Sequence, residues 1–133
     1  MKFDCITFVL GGSGITPGYQ LIARIAQTPE DKTKIKIIDA NKTENDILMR
    51  GELAEFARDH RAQFHVTHVL SHPGKDWTGE KGHVDNRIIR QYGYPPEKGN
   101  VALLCGPPTL IKKAVLPALL DWGYQEDTNL FGF

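Results

Sequence analysis

Ile6-Thr7-Phe8-Val9-Leu10-Gly11-Gly12-Ser13-Gly14-Ile15-Thr16-Pro17 is the stretch that decides how this chain folds. Ile6–Leu10 is an apolar run without clean alternation, the pattern of a strand covered on both faces. The glycines that follow let backbone come close to an anion. A helix beginning after Thr16 would then offer that anion free N–H groups and a positive dipole end. Thr16 suits the N-cap, and Pro17 suits the first helical position, where its missing N–H costs nothing. Strand, glycine turn and helix in this order make a cradle for the phosphates of a nucleotide. The turn is not a P-loop, because no Lys-Ser or Lys-Thr follows the last glycine. It also departs from the usual dinucleotide fingerprint, since Pro17 stands in place of a third glycine.

The rest of the chain alternates in the same way. Leu21, Ile22, Ile25 and Ala26 form the apolar stripe of the first helix, which Thr28-Pro29-Glu30-Asp31 ends. Lys34–Ala40 reads as strand 2. Thr43-Glu44-Asn45-Asp46 has the capping-box pattern and predicts a second helix running to about His60. Phe64–Leu70 is strand 3, Ser71–Gly82 a long polar loop containing Trp77, and Asn86–Tyr92 a short helix. Pro95-Pro96-Glu97-Lys98-Gly99 breaks the pattern before strand 4, Val101–Leu104. The last helix starts near Pro108 or Thr109, with Leu110, Ile111, Ala114, Val115, Ala118, Leu119 and Trp122 along one side. Pro117 should bend it and Gly123 close it. Asn129–Phe133 reads as a terminal strand. Strands separated by helices pair in parallel through right-handed crossovers. The expected fold is α/β: a doubly wound, mostly parallel five-stranded sheet of order 3-2-1-4-5, helices on both faces, Rossmann-like, with residues 1–133 as one domain.

Bulk properties exclude several classes. Sixteen Lys and Arg balance sixteen Asp and Glu over 133 residues, with no strongly basic block, so nucleic acid or an anionic membrane is not the main partner. No apolar stretch approaches the ~20 residues of a membrane span, and a cytoplasmic, reducing compartment is expected. Cys5 and Cys105 are too few for a disulfide framework or a zinc site. His65 and His68 would point to opposite faces of strand 3, so no metal site is expected.

Ligands in open α/β sheets bind outside the carboxyl ends of the strands. The glycine turn after strand 1 and Cys105-Gly106-Pro107-Pro108 after strand 4 both lie there and converge on one crevice. Gly106 leaves backbone open while the prolines fix its course, so a ligand ring could lie against the Cys105 sulfur. No base stands beside Cys105 in the sequence, which speaks against a nucleophile. Asp39, near the end of strand 2, is either a solvated acid or the acid that binds an adenosine ribose. Phe131-Gly132-Phe133 either closes a core strand or offers Phe133 to stack on a flat cofactor.

Five segments together resemble the pyridine-nucleotide half of the ferredoxin reductase-like flavoproteins. They are Gly11–Pro17, Asn41–Leu48, Trp77–Gly82, Cys105–Pro108 and the terminal Phe133. The likeness is to the cytochrome b5 reductase branch, including the C-terminal part of eukaryotic, above all fungal, assimilatory nitrate reductases. The resemblance implies an oxidoreductase half that binds NADPH or NADH and presents the nicotinamide for hydride transfer to FAD, expected within a nitrate reductase, with a cytochrome b5 reductase-type electron-transfer domain as the alternative. By resemblance, Gly12, Ser13, Gly14 and Thr16 flank the pyrophosphate and the nicotinamide–flavin junction. Cys105, Gly106 and Pro107 sit beside the nicotinamide, Cys105 and Thr16 being the catalytic candidates, and Phe133 packs near the flavin. The family's flavin-binding Arg-x-Tyr-Ser/Thr motif is absent. FAD is therefore expected on a partner FAD-binding domain outside this chain, with a haem or other acceptor domain downstream.

The resemblance also bears on the choice of nucleotide. Relatives that prefer NADH tend to carry an acid about six residues before the loop tryptophan, where it meets the ribose 2′-hydroxyl. Here that position is Ser71, with His72 and Lys75 nearby, which turns the expectation toward NADPH. Two alternatives compete with this reading. A receiver-like signalling module would need clustered acids after strands 1 and 2, where strand 1 ends in glycines. An ordinary dehydrogenase would use Asp39 on the ribose.

Overall fold

The computed structural model describes residues 3–12, 15–106 and 111–132, with backbone only at 111 and 112. Six parallel strands form one sheet: β1 (Cys5–Gly11), β2 (Lys34–Asn41), β3 (Phe64–Leu70), β4 (Glu80–Lys81), β5 (Asn100–Cys105) and β6 (Leu130–Gly132). Their order is β4-β3-β2-β1-β5-β6. The helices are α1 (Ile15–Ala26), α2 (Arg50–Asp59), α3 (Asn86–Tyr92) and α4 (Leu116–Trp122). Apolar residues of the central strands are buried on both sides. Phe8, Leu10, Ile35, Ile37, Val101 and Leu103 pack with Ile15, Ile22 and Ile25 of α1 and Leu53 of α2. Val9, Ile38, Ala102 and Leu104 pack on the other side with Ile88 and Ile89 of α3 and Ala118 and Leu119 of α4. This two-sided burial is why the strands lack alternation.

The doubly wound parallel sheet is as expected, with one strand more. The five longer strands keep the expected order 3-2-1-4-5. The sixth, β4, lies inside the segment 71–82 expected as a plain loop. Its pairing covers only Val69–Glu80 and Leu70–Lys81, held by the Gly82 N–H donating to the Leu70 carbonyl at 2.8 Å. Arg87 of α3 grips the Glu80 carboxylate at 2.9 Å, and the Tyr92 hydroxyl donates to the same carboxylate. These bonds hold Glu80's pKa below the usual carboxylate range, the Tyr92 bond being the larger cause. Two polar residues carry no periodicity, so only these tertiary ties could reveal the strand.

Three helix boundaries differ from expectation. First, α1 begins at Ile15, which is buried, so Thr16 is its second residue rather than its cap. Second, the capping box closes only a 3-10 turn, Glu44–Asp46. The Thr43 N–H and hydroxyl both donate to the Asp46 carboxylate, at 3.0 and 2.9 Å. Ile47 then turns extended and buries its side chain, Met49 takes a left-handed φ of 56°, and α2 starts at Arg50. Third, the last helix opens as a π-helical turn over 111–115, and Pro117 falls in the first turn of α4. A wider turn before Pro117 relieves the clash a proline makes in a continuous helix. The expected helix start at 108–109 and the terminal Phe133 lie outside the described residues.

Buried polar groups are matched almost everywhere. The Tyr94 N–H donates to the Thr7 hydroxyl at 2.9 Å, the Thr33 hydroxyl to the Phe3 carbonyl at 3.1 Å, and the Asn100 amide to the Pro95 carbonyl at 2.8 Å. Asp39 is different: it is neither solvated nor in a crevice, but 1% exposed on the α1/α2 side of the sheet. His68 Nδ1, from the neighbouring strand, lies 3.2 Å from its Oδ2 without hydrogen-bond alignment.

Removing one member of such a pair leaves the other buried and uncompensated. His68→Leu should therefore destabilise the fold by about 3 kcal/mol. The double change Asp39→Leu/His68→Leu should recover most of that loss, because an apolar pair carries no desolvation cost. Urea midpoints of the two variants against the parent chain check this. A double variant no more stable than His68→Leu would contradict it.

Candidate functional site

A crevice of about 780 Å³ opens at the carboxyl ends of β1, β2 and β3. Gly11 and Gly12 form one side of it. Asn41, Lys42, Asn45, Asp46 and Leu48, from the end of β2 and the turn after it, form the next. Ser71 and the segment Gly82–Val84 follow, and Lys113 and Ala114 of the π-helical turn stand opposite. Apolar walls from Leu48, Val84, Ala40 and Ala114 suit a planar ring. The Lys42 and Lys113 ammonium groups suit an anion, and Asn41, Asn45 and Ser71 supply neutral donors and acceptors. Asp46 is the one carboxylate among the described lining residues, and Thr43 engages it.

Backbone packing explains the position of the crevice. In the sheet Leu10 pairs with Cys105, so the turns after β1 and β5 meet immediately beyond. A Cβ on Gly106 would lie 3.2 Å from the Gly11 nitrogen and 3.3 Å from its Cα and oxygen. Only glycine lets the two turns close to this distance. The chain order reverses across β1 and β5, so this is the topological switch point. Gly12 adopts φ +53°, a left-handed conformation that favours glycine, with open space where a Cβ would stand. Gly18 brings α1 down on β1: a Cβ there would come within 3.0 Å of Leu10 Cδ2. The start of α1 is thereby held beside the glycine turn, and its first turn carries no acid to oppose an anion.

The sequence candidates are distributed unevenly around this site. Gly12 and Ser71 line the crevice, and Gly106 presses on its floor. Thr16 is exposed on the first turn of α1. The Ser71 hydroxyl shares a 2.9 Å hydrogen bond with His72 Nδ1. His72 and Lys75 are exposed and do not line the crevice. Cys105 is buried within the cluster beneath α1, and burial pushes its thiol pKa up. A thiol held protonated is a poor nucleophile. Ser13, Gly14, Pro107 and Phe133 lie outside the described residues. Asp39 does not line the crevice. Among the described residues no group of three or more His, Cys, Asp or Glu gathers for a metal.

Sequence reasoning assigned no role to Lys42 and Lys113. Lys42 directly follows β2 at the ligand edge and could have been found by that rule alone. Lys113 could not, because the expected continuous helix would turn it by a different angle from the π-helical turn. Asn41 carries a further signal, visible only in three dimensions: both polar atoms of its amide are buried in the crevice wall without a partner among the described residues. Trp77 fixes the far side. Its indole N–H donates to the Glu80 carbonyl at 2.9 Å, its ring covers Gly79, and the Arg50 guanidinium lies 5.7 Å from it.

Comparison with known proteins identifies the family. The family model described as oxidoreductase NAD-binding domain matches residues 8–115. NADH-cytochrome b5 reductase 2 of Homo sapiens is 43% identical over 124 residues, covering 93% of this chain and 45% of that protein. The Danio rerio protein of the same name is 37% identical over 132 residues, covering 99% of this chain and 42% of its own. The crystal structure of the cytochrome b5 reductase domain of Ulva prolifera nitrate reductase superposes with a TM-score of 0.97 at 32% identity. It covers 100% of this chain and 49% of that one. The chain thus spans about half, or less, of the length of these relatives.

The two turn glycines should differ in their tolerance of a methyl group. Gly106→Ala forces a Cβ against backbone that cannot rotate away, and about 1–3 kcal/mol of stability should be lost. Gly12→Ala meets open space and pays only for its left-handed φ, about 1 kcal/mol. Urea unfolding of both variants checks the order. Equal losses, or a larger one at Gly12, would show that the contact at Gly106 is not the tighter constraint.

Proposed function

The chain belongs to the oxidoreductase NAD-binding domain family, and on that premise we propose that it is the nucleotide-holding half of an NAD(P)H–flavin oxidoreductase of the cytochrome b5 reductase type. The observation that carries the reading is the crevice at the switch point, where a glycine turn, an apolar wall and two lysines meet. A receiver-like module has no use for that combination, and a dehydrogenase relying on Asp39 would need the acid in the crevice.

When bound, the nicotinamide supplies a hydride, and FAD held mainly by a separate domain of the parent protein accepts it. This chain's residues bind and orient. The backbone at Gly12, with Ser13 and Gly14, approaches the pyrophosphate, and the start of α1, including Thr16, stabilises its charge. Lys42 and Lys113 add charge-assisted contacts to phosphate oxygens. Leu48 and Val84 cover the adenine side. Cys105, Gly106 and Pro107 set the floor near the nicotinamide, Cys105 acting through packing rather than as a nucleophile. Phe133 borders the flavin of the partner domain. A haem or other acceptor domain takes the electrons onward.

Ser71 governs the choice of nucleotide. It is an uncharged donor in the crevice, with Lys42 in the same wall, and the one acid there is engaged by Thr43. The relatives described above are named for NADH. The missing acid at Ser71 turns this chain toward NADPH, with His72 and Lys75 adding charge nearby. No helix among the described residues is long and apolar enough to cross a membrane, and a cytoplasmic protein is the reading adopted.

Titration of the purified chain should show weak NAD(P)H binding and no stoichiometric flavin absorbance. Ser71→Asp should weaken NADPH relative to NADH by about tenfold, the loss of a charge-assisted contact plus repulsion. An unmoved ratio would remove Ser71 from the 2′-position, and failure to bind either nucleotide would sink the reading as a whole.

With the flavin domain supplied, Cys105→Ser should slow hydride transfer yet leave a measurable rate. Complete loss, or a covalent adduct on the sulfur during turnover, would show that Cys105 acts chemically. Stopped-flow flavin reduction reads both.

A further inference from the structure

The side of the sheet away from β6 ends in an edge that is only partly covered. There β4 pairs with Val69 and Leu70 alone, so no strand of the described residues lies beside Phe64–His68. A cavity of about 690 Å³ runs along this stretch. Phe64, His65, Val66 and Thr67 all line it, with Arg61 from the turn after α2 and Lys36 of β2. Consecutive side chains of a strand point to opposite faces. One cavity that touches all four residues therefore spans the edge of β3, and it reaches onto the α3 face, where Lys36, Gln91 and Tyr92 also line it.

The hydrogen-bond register sets which backbone groups face this groove. The Ile35 N–H donates to the Gln63 carbonyl, and the Gly82 N–H donates to the Leu70 carbonyl. Odd-numbered positions of β3 thus turn to β2 and even-numbered ones turn outward. The Val66 N–H and carbonyl and the His68 N–H point into the groove with no strand to receive them. The charge of the groove has one sign. Arg61 and Lys36 line it, the Lys36 ammonium 4.5 Å from the Tyr94 ring, and no carboxylate does so among the described residues. Arg61 makes no ion pair among those residues. Glu80, near Tyr92 at the groove's end, is held by Tyr92 and Arg87.

We propose that this edge docks an extended acidic segment of a partner protein by strand addition, its backbone pairing with Val66 and its carboxylates meeting Arg61. The open stretch is about 17 Å long at the usual rise per residue, and β4 stops it at Val69. A second copy of this chain is the wrong occupant, because it would bring its own Arg61 and Lys36 to the groove and no carboxylate among the described lining residues, so the charge would stay uncompensated. The groove shares no lining residue with the crevice, so the proposal stands apart from the nucleotide reading.

The test is a titration of the ¹⁵N-labelled 133-residue chain with a six-residue peptide, acetylated and amidated, that alternates valine with glutamate. The Val66 and His68 amide signals should shift saturably, and the Val66 amide should gain protection from exchange. Arg61→Glu, an exposed turn substitution, should weaken binding by about tenfold. The same peptide methylated at its backbone nitrogens keeps its charges but loses its donors, and it should not bind. Equal binding of a lysine-for-glutamate peptide, retained binding of the methylated peptide, or shifts at Gly12 and Ser71 instead of Val66 would overturn the proposal. So would the absence of any shift at millimolar peptide. A dimer in sedimentation with Val66 at its interface would overturn it in favour of the second copy.

Discussion

Gly106 lies so near Gly11 that a Cβ would come within 3.2 Å of the Gly11 nitrogen, and the crevice depends on that approach. Two parallel strands that are neighbours in space but distant in sequence, β1 and β5, end level with each other. The chain leaves each in a different direction, toward α1 on one side of the sheet and toward the π-helical turn and α4 on the other. A side chain on Gly106 would press on the Gly11 backbone. With none there, backbone meets backbone and leaves a floor of peptide groups, the kind of surface that can approach a phosphate closely.

The rest of the site is arranged around that floor by contacts of different strength. Gly18 lets α1 sink against Leu10, which fixes where the helix begins relative to the turn. The far walls rest on less regular devices. Thr43 and Asp46 close a single 3-10 turn, the left-handed Met49 redirects the chain into α2, and Trp77 folds its loop over Gly79 and beside Arg50. Such walls are held by a few hydrogen bonds and one aromatic ring.

Two further features show how this sheet handles polar groups. At the ends of β2 and β3 it buries Asp39 against His68, an arrangement that costs desolvation and returns attraction only while both partners remain. At its β3 edge it leaves backbone groups unpaired beside Arg61, in a groove that no carboxylate lines among the described residues. Cations on an edge discourage self-pairing, and they select for an acidic occupant by the same electrostatics.

The order and type of the long elements were legible in the sequence. Ile6–Leu10, Ile35–Ile38 and Val101–Leu104 are apolar on both faces, and that follows from burial between two helix layers whatever the details of the loops. The glycine turn and Gly106 were legible for a similar reason: a left-handed φ at Gly12 and a close backbone approach at Gly106 both leave glycine as their mark. Tertiary structure alone decided the remainder. β4 has two polar residues and exists only because Gly82, Arg87 and Tyr92 hold it. The second helix lost its first turn because burying Ile47 requires extended backbone, an advantage no local propensity reports. Lys113 reached the crevice because Pro117 widened the turn before it, and Asp39 left the crevice because His68 stood ready on the next strand. In each case the deciding energy comes from a partner far away in the chain, which a pattern read along the sequence cannot contain.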